Sequence, residues 1–186
     1  MKRYAFIAGV ICLSASFVKA QESGTPVFEI GASYSFVHVT THDLGNYGEN
    51  GGSAFAEYNI NKTVGLVADL GGYDSGNRGV HTFSYMFGPR INWRMSRVVP
   101  YAQFLFGGVH EWGLTSLASP SVTSSPNGFA TAAGLGIDIN VSRHVTLKPI
   151  QVEYFMTQLP NFVATSNTVQ NNLRYSGGLV FNFGEK

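Results

Sequence analysis

Asn171-Asn-Leu-Arg-Tyr-Ser-Gly-Gly-Leu-Val-Phe-Asn-Phe-Gly184 is the stretch whose alternation decides the fold. An extended chain points successive side chains to opposite faces. Leu173, Tyr175, Leu179, Phe181 and Phe183 then share one face, while Asn172, Arg174, Ser176 and Asn182 take the other, with Gly178 and Val180 between them. One face is oily and aromatic; the other is polar and carries a charge. A strand of this kind suits a closed β-barrel whose outside touches lipid and whose inside is polar.

The same alternation recurs upstream, and eight extended segments can be counted. The first spans about 26–39, with Phe28, Ile30, Ala32, Tyr34 and Phe36 opposite Glu29, Gly31, Ser33 and Ser35. The others span about 52–59, 63–73, 80–93, 99–112, 128–141, 145–157 and the terminal stretch. Lys148-Pro149 interrupts the seventh. Proline cannot donate to a ladder, so a bulge is expected there. Short turns at 59–62, 94–97 and 141–144 alternate with longer connections at 40–51, 74–79, 113–127 and 158–170. Outer-membrane barrels have short periplasmic turns and longer external loops, and the alternation here has that phase if both termini face the periplasm. The predicted fold is all-β, an eight-stranded antiparallel up-and-down transmembrane barrel.

The N-terminus supports export. Met1-Lys2-Arg3 precedes an apolar run from Tyr4 to Val18, and Val18-Lys19-Ala20 stands before Gln21. Two positive charges, a short apolar core and a small-residue cleavage site describe a secretory signal peptide, and the run is short of the roughly 20 residues of a helical span. Residues 1–20 are expected to be cleaved and 21–186 to form the barrel domain. Cleavage removes Lys2, Arg3 and Lys19, taking the formal net charge from +1 to about −2, which gives no basis for binding nucleic acid. Cys12 is the only cysteine and lies in the signal, so the mature chain has neither disulfides nor thiolate metal sites. Charged residues make up 12% of the chain, against about a quarter in a typical soluble domain. A soluble barrel would have to hide the many Phe and Tyr in a narrow interior, since eight strands leave room for little more than side chains.

The signal sequence, Gly88-Pro89-Arg90, Pro100-Tyr-Ala-Gln-Phe-Leu-Phe-Gly-Gly108 and Arg174-Tyr-Ser-Gly-Gly-Leu-Val-Phe-Asn-Phe183 together resemble the eight-stranded outer-membrane β-barrel domains, the OmpA-transmembrane-like and opacity-type proteins. The resemblance covers nearly all of the mature chain and implies residence in a bacterial outer membrane. It also implies that the terminal strand, through Leu173, Tyr175, Leu179, Phe181 and Phe183, is read by the barrel-insertion machinery. Gly184-Glu185-Lys186 after the last aromatic departs from that pattern. The expected partners are outer-membrane lipid, that machinery and a surface ligand held by loops 40–51, 74–79, 113–127 and 158–170.

The candidate functional constellation is the set of inward charges Glu29, Glu57, Asp69, Arg90, Asp138, Lys148, Glu153 and Arg174. It reads either as a salt-bridge network filling the lumen or as the lining of a narrow porin-like channel. Tyr34, Tyr58, Trp93, Trp112, Tyr154 and Tyr175 are candidates for interfacial aromatic belts. A lipid-modifying enzyme is the remaining alternative. Barrel lipid A deacylases carry a His-x-Ser pair, and His38-Val-Thr40 and His81-Thr-Phe-Ser84 do not match it. No catalytic residue, metal ligand or cofactor is expected. The function expected is structural or surface-interacting, through the external loops.

Overall fold

A computed structural model describes residues 24–41, 45–76, 79–115, 123–124, 127–160 and 167–185. The expected signal peptide lies outside these residues. The strands are β1 (Phe28–Thr41), β2 (Gly45–Asn59), β3 (Val64–Asp74), β4 (His81–Asn92), β5 (Val98–Trp112), β6 (Leu114–Thr115), β7 (Thr123–Ser124), β8 (Asn127–Asn140), β9 (Val145–Pro160) and β10 (Asn167–Phe183). Eight of them close a barrel in the order β1-β2-β3-β4-β5-β8-β9-β10, while β6 and β7 form a separate two-stranded ribbon. Every pairing is antiparallel. The seam joins the first strand to the last, with Phe28 opposite Phe183 and His38 opposite Leu173. Closure leaves no edge strand, which a bilayer requires because its core offers no water to unpaired backbone groups.

Strict alternation sorts the side chains. On β3 and β4 buried and exposed residues alternate without a break. Leu66, Leu70, Phe83, Tyr85, Phe87, Phe104, Leu135, Leu179 and Phe181 lie on the outer surface, together with the six belt aromatics. The inner face is polar apart from a set of apolar side chains that includes Val37, Phe55, Val67, Leu105, Phe155 and Val180. This is the reverse of a water-soluble barrel.

The bulge on β9 is present. The register shifts between Ser176 and Gly178 on one side and between Ile137 and Ile139 on the other, and Pro149 and Ile150 both face outward. Two short turns share one construction. Ile60 and Asn61 donate backbone N–H groups to the Val64 carbonyl, and Val141 and Ser142 do the same to Val145. Asn61 Oδ1 accepts from the Val64 N–H, as Ser142 Oγ does from Val145, the local side-chain bonding that favours Asn and Ser in turns.

Two of the long connections, 40–51 and 158–170, are shorter than the sequence implies. The β1–β2 ladder continues to Thr41 opposite Gly45, so most of 40–51 is strand. Asn46, Gly48, Asn50 and Gly51 read as loop residues, yet in the sheet the Phe36 ring covers Gly48, at 2.7 Å from where a Cβ would sit. An aromatic neighbour replaces the packing that glycine lacks. In the same way β9 reaches Pro160 and β10 starts at Asn167, confining the 158–170 connection to 161–166. The 113–127 stretch carries the β6–β7 ribbon.

Candidate functional site in the barrel lumen

All eight inward charges named from the sequence are buried inside the barrel. Arg174, on β10, is the hub. Its Nε donates to Glu153 Oε2 at 2.6 Å and its Nη1 to Asp69 Oδ1 at 2.9 Å and to the Tyr73 hydroxyl at 2.7 Å. Glu153 is its ladder partner on β9, whereas Asp69 and Tyr73 reach it from β3, across the lumen. Arg90, on β4, donates through Nη1 to Glu57 at 2.8 Å and through Nε and Nη2 to Gln103 Oε1 at 2.9 and 2.7 Å. Gln103 Nε2 donates in turn to Glu153 Oε1 at 2.7 Å. Arg90, Gln103, Glu153, Arg174 and Asp69 thus form one connected chain.

Below it, towards the short turns, Arg94 Nη2 donates to Glu29 Oε1 at 2.7 Å and to Asn59 Oδ1 at 2.9 Å, while Asn92 Nδ2 donates to Glu57. Asp138 meets Arg90 only at 3.8 Å. Lys148 Nζ donates to Gln151 Oε1 at 3.1 Å and lies 3.9 Å from the centre of the Phe55 ring and 4.9 Å from that of Tyr101. The Arg90 guanidinium covers the same two rings, at 4.1 Å from Tyr101 and 5.1 Å from Phe55. Cation–π contacts of this type strengthen when water is excluded. Two rings and two cations therefore stack across the middle of the barrel.

Glycines make the space for this filling. A Cβ on Gly31 would lie 2.3 Å from the Phe55 ring, and one on Gly136 would lie 2.2 Å from the Tyr101 hydroxyl. On Gly65 it would meet Glu57 at 2.1 Å, and on Gly134 it would meet Glu153 at 2.3 Å. Phe55, Tyr101, Glu57 and Glu153 thus each lie against a glycine, which helps eight strands accommodate so many long side chains at interior packing density.

Towards the long-loop end the filling continues with hydroxyls and amides. Ser35 bonds Ser176 and Ser53, and Asn172 accepts from the Thr40 N–H. Two further carboxylates, Glu49 and Glu111, are buried there. Glu49 accepts from Thr82 at 3.2 Å, and Glu111 is opposite Thr82 on β5. Neither stands out in the sequence, where 40–51 reads as loop and Glu111 sits next to a loop boundary. Arg94 reads as a turn residue, whereas Phe55, Tyr101, Gln103 and Phe155 fall on the inward face by alternation without a charge to single them out, and Tyr73 falls there with Asp69 and Gly71. Strand parity was the available signal for these five, since each shares a face with an inward charge or glycine.

His81 and His110 lie elsewhere. His81 Nδ1 lies 2.7 Å from Asp74 Oδ2, His110 Nδ1 lies 2.8 Å from Asn127 Oδ1, and both rings flank Trp112. Ser84, three positions from His81 on the same strand, faces the lumen, so alternation separates the two side chains. Among the described residues no group of three His, Cys, Asp or Glu side chains could hold a metal ion. The terminal-strand residues Leu173, Tyr175, Leu179, Phe181 and Phe183 all face outward beside the seam.

The profile of the outer membrane protein beta-barrel domain family matches residues 8–183. Among solved structures, Neisserial surface protein A superimposes with a TM-score of 0.65 at 15% identity, covering 84% of this chain and 97% of that one. Ail, the attachment invasion locus protein of Yersinia pestis, gives 0.55 at 16% identity over 87% and 99%. The outer membrane protein OprG of Pseudomonas aeruginosa gives 0.54 at 12% identity over 88% and 99%. No match was found among curated proteins. At these identities the structural likeness shows a shared fold.

Proposed function

This chain belongs to the outer-membrane protein β-barrel domain family and resides in the bacterial outer membrane, and from that premise we propose that its barrel is a closed scaffold whose work is done at the cell surface by the long-loop end. The observation that carries this reading is the filled lumen: Phe55 and Tyr101 stacked with Arg90 and Lys148, above and below which the side chains are tied to one another. A barrel blocked in this way leaves its loops as the contact elements, since binding residues concentrate on loops held by a rigid scaffold.

The loop chemistry narrows the ligand. Among the four long connections, 113–127 and 158–170 contain no Asp, Glu, Lys or Arg, and Arg78 is the only Lys or Arg in the other two. Ail has been crystallised in complex with the heparin analogue sucrose octasulfate. A polyanion would find little to pair with here, so the loops suit an uncharged partner contacted through Ser, Thr, Asn and apolar side chains. Replacing residues 116–122 and 161–166 with two-residue Asn-Gly turns tests the reading. The barrel is expected to fold unchanged, while adhesion of bacteria displaying it to epithelial-cell and matrix-coated surfaces is lost. Adhesion that survives both replacements would contradict it.

A narrow ion conduit is the second reading. It draws support from the unequal pairing inside the plug, where Lys148 bonds a neutral amide and Asp138 Oδ1 has no hydrogen-bond partner among the described residues. Re-pairing these two would loosen the stack.

A further inference from the structure

The three short turns repeat one pattern that the lumen does not use. At two-residue intervals each strand end runs from an apolar outward residue to an exposed apolar residue and then to an exposed cation: Tyr58, Ile60, Lys62; Trp93, Met95, Arg97; Ile139, Val141, Arg143. Ile60, Met95 and Val141 are 49%, 62% and 59% exposed, as open as Leu66, Leu70 and Leu135 on the outer surface. The neighbouring Arg94 does not join this set, because it turns inward to Glu29. The turns stand at the β2–β3, β4–β5 and β8–β9 junctions and so are spread around the barrel. The described acid on the same rim is Glu185, 3.2 Å from Arg143. The opposite end differs, with Arg78 the only Lys or Arg in the long connections.

We infer that this rim binds the anionic headgroups of the periplasmic phospholipid leaflet, with Ile60, Met95 and Val141 seated at the acyl–headgroup boundary and Lys62, Arg97 and Arg143 meeting lipid phosphates beyond it. The short turns of outer-membrane barrels face the periplasm. The apolar members continue the lipid-facing surface directly below Tyr58 and Trp93, so lipid is the occupant already in contact with their neighbours. Lys and Arg reach from such positions by laying their stems along apolar surface and holding the charge at the headgroups. A protein partner would call for a one-sided patch, whereas cations distributed around the circumference match an annulus of lipid.

The chain has two tryptophans, one near each end of the barrel. In a Trp112→Phe variant Trp93 reports the short-turn leaflet, and in a Trp93→Phe variant Trp112 reports the loop end. Each is refolded into phosphatidylcholine vesicles containing brominated phosphatidylglycerol or brominated phosphatidylcholine, and quenching gives the relative affinity of the two lipids at each site. An anionic surface attracts a nearby Lys or Arg by about fivefold per charge. Trp93 is expected to show a severalfold preference for phosphatidylglycerol that falls towards one in Lys62→Gln/Arg97→Gln/Arg143→Gln, while Trp112 shows none. Added salt at 0.5 M should weaken the preference in the unsubstituted turns, a readout that needs no rim variant to fold. Absence of preference at Trp93, or equal preference at both tryptophans, would overturn the proposal. So would a preference that the triple substitution leaves intact.

Discussion

Replacing Arg174 with alanine is expected to destabilise the folded barrel by about 3–5 kcal/mol, the usual cost of stranding a buried charge. The guanidinium is fully buried and holds Glu153, Asp69 and Tyr73 at once. Its removal leaves two carboxylates inside the barrel without their cation. Arg174→Lys should recover only part of the loss, because one ammonium cannot reproduce donors that point to different strands in a fixed fork. Arg174→Met combined with Glu153→Gln and Asp69→Asn should recover more than the lysine does, since neutral partners strand no charge. The measurement is the urea midpoint of refolded protein, followed by the mobility difference between folded and heat-unfolded forms. A midpoint unchanged in Arg174→Ala would mean that the network contributes nothing to holding the barrel closed.

Gly88→Ala is expected to be comparably damaging for a different reason. A Cβ at Gly88 would lie 2.0 Å from the Phe104 carbonyl oxygen and 3.0 Å from the Leu105 Cα. Both are backbone atoms of β5, so no rotamer change can relieve the contact and the strands themselves must part. Overpacking typically costs about 1–3 kcal/mol, and the upper end or beyond is expected where the obstacle is main chain. Gly72→Ala is the matched control, because its Cβ would meet nothing within 4 Å and it faces outward. The yield of folded barrel should fall sharply for Gly88→Ala and stay at the parental level for Gly72→Ala. Equal yields would show that the β4–β5 approach is looser than the structure has it.

What was legible in the sequence follows from periodicity. Strand alternation is local and leaves its mark on every other residue, so the eight barrel strands, the outward aromatic set and the inward charges could be read directly. The break at Pro149 could be read because proline removes a ladder donor. Part of the wiring follows once the register is fixed: Arg174 with Glu153 and Arg90 with Gln103 are ladder neighbours. The cross-lumen bonds were not, because Asp69 reaches Arg174 from a strand on the far side of the barrel, and sequence separation says nothing about which inward residues meet there. Nor was the direction of Arg94, whose place in a short turn suggested solvent but whose length lets it curl into the barrel mouth. The extent of β2 was hidden by its glycines and asparagines, which signal turns when read alone and signal strand only when Phe36 is known to lie over Gly48.

Both the closed scaffold and the role of the loops depend on whether the lumen passes ions. The most direct test is planar-bilayer conductance of the refolded protein beside Arg90→Ala. A current that stays at baseline in both is the predicted result, because Phe55, Tyr101, Lys148 and the Arg174 cluster still fill the barrel when Arg90 is gone. Discrete openings in the parent protein, changed in size or frequency by Arg90→Ala, would contradict the account and make the lumen the functional element.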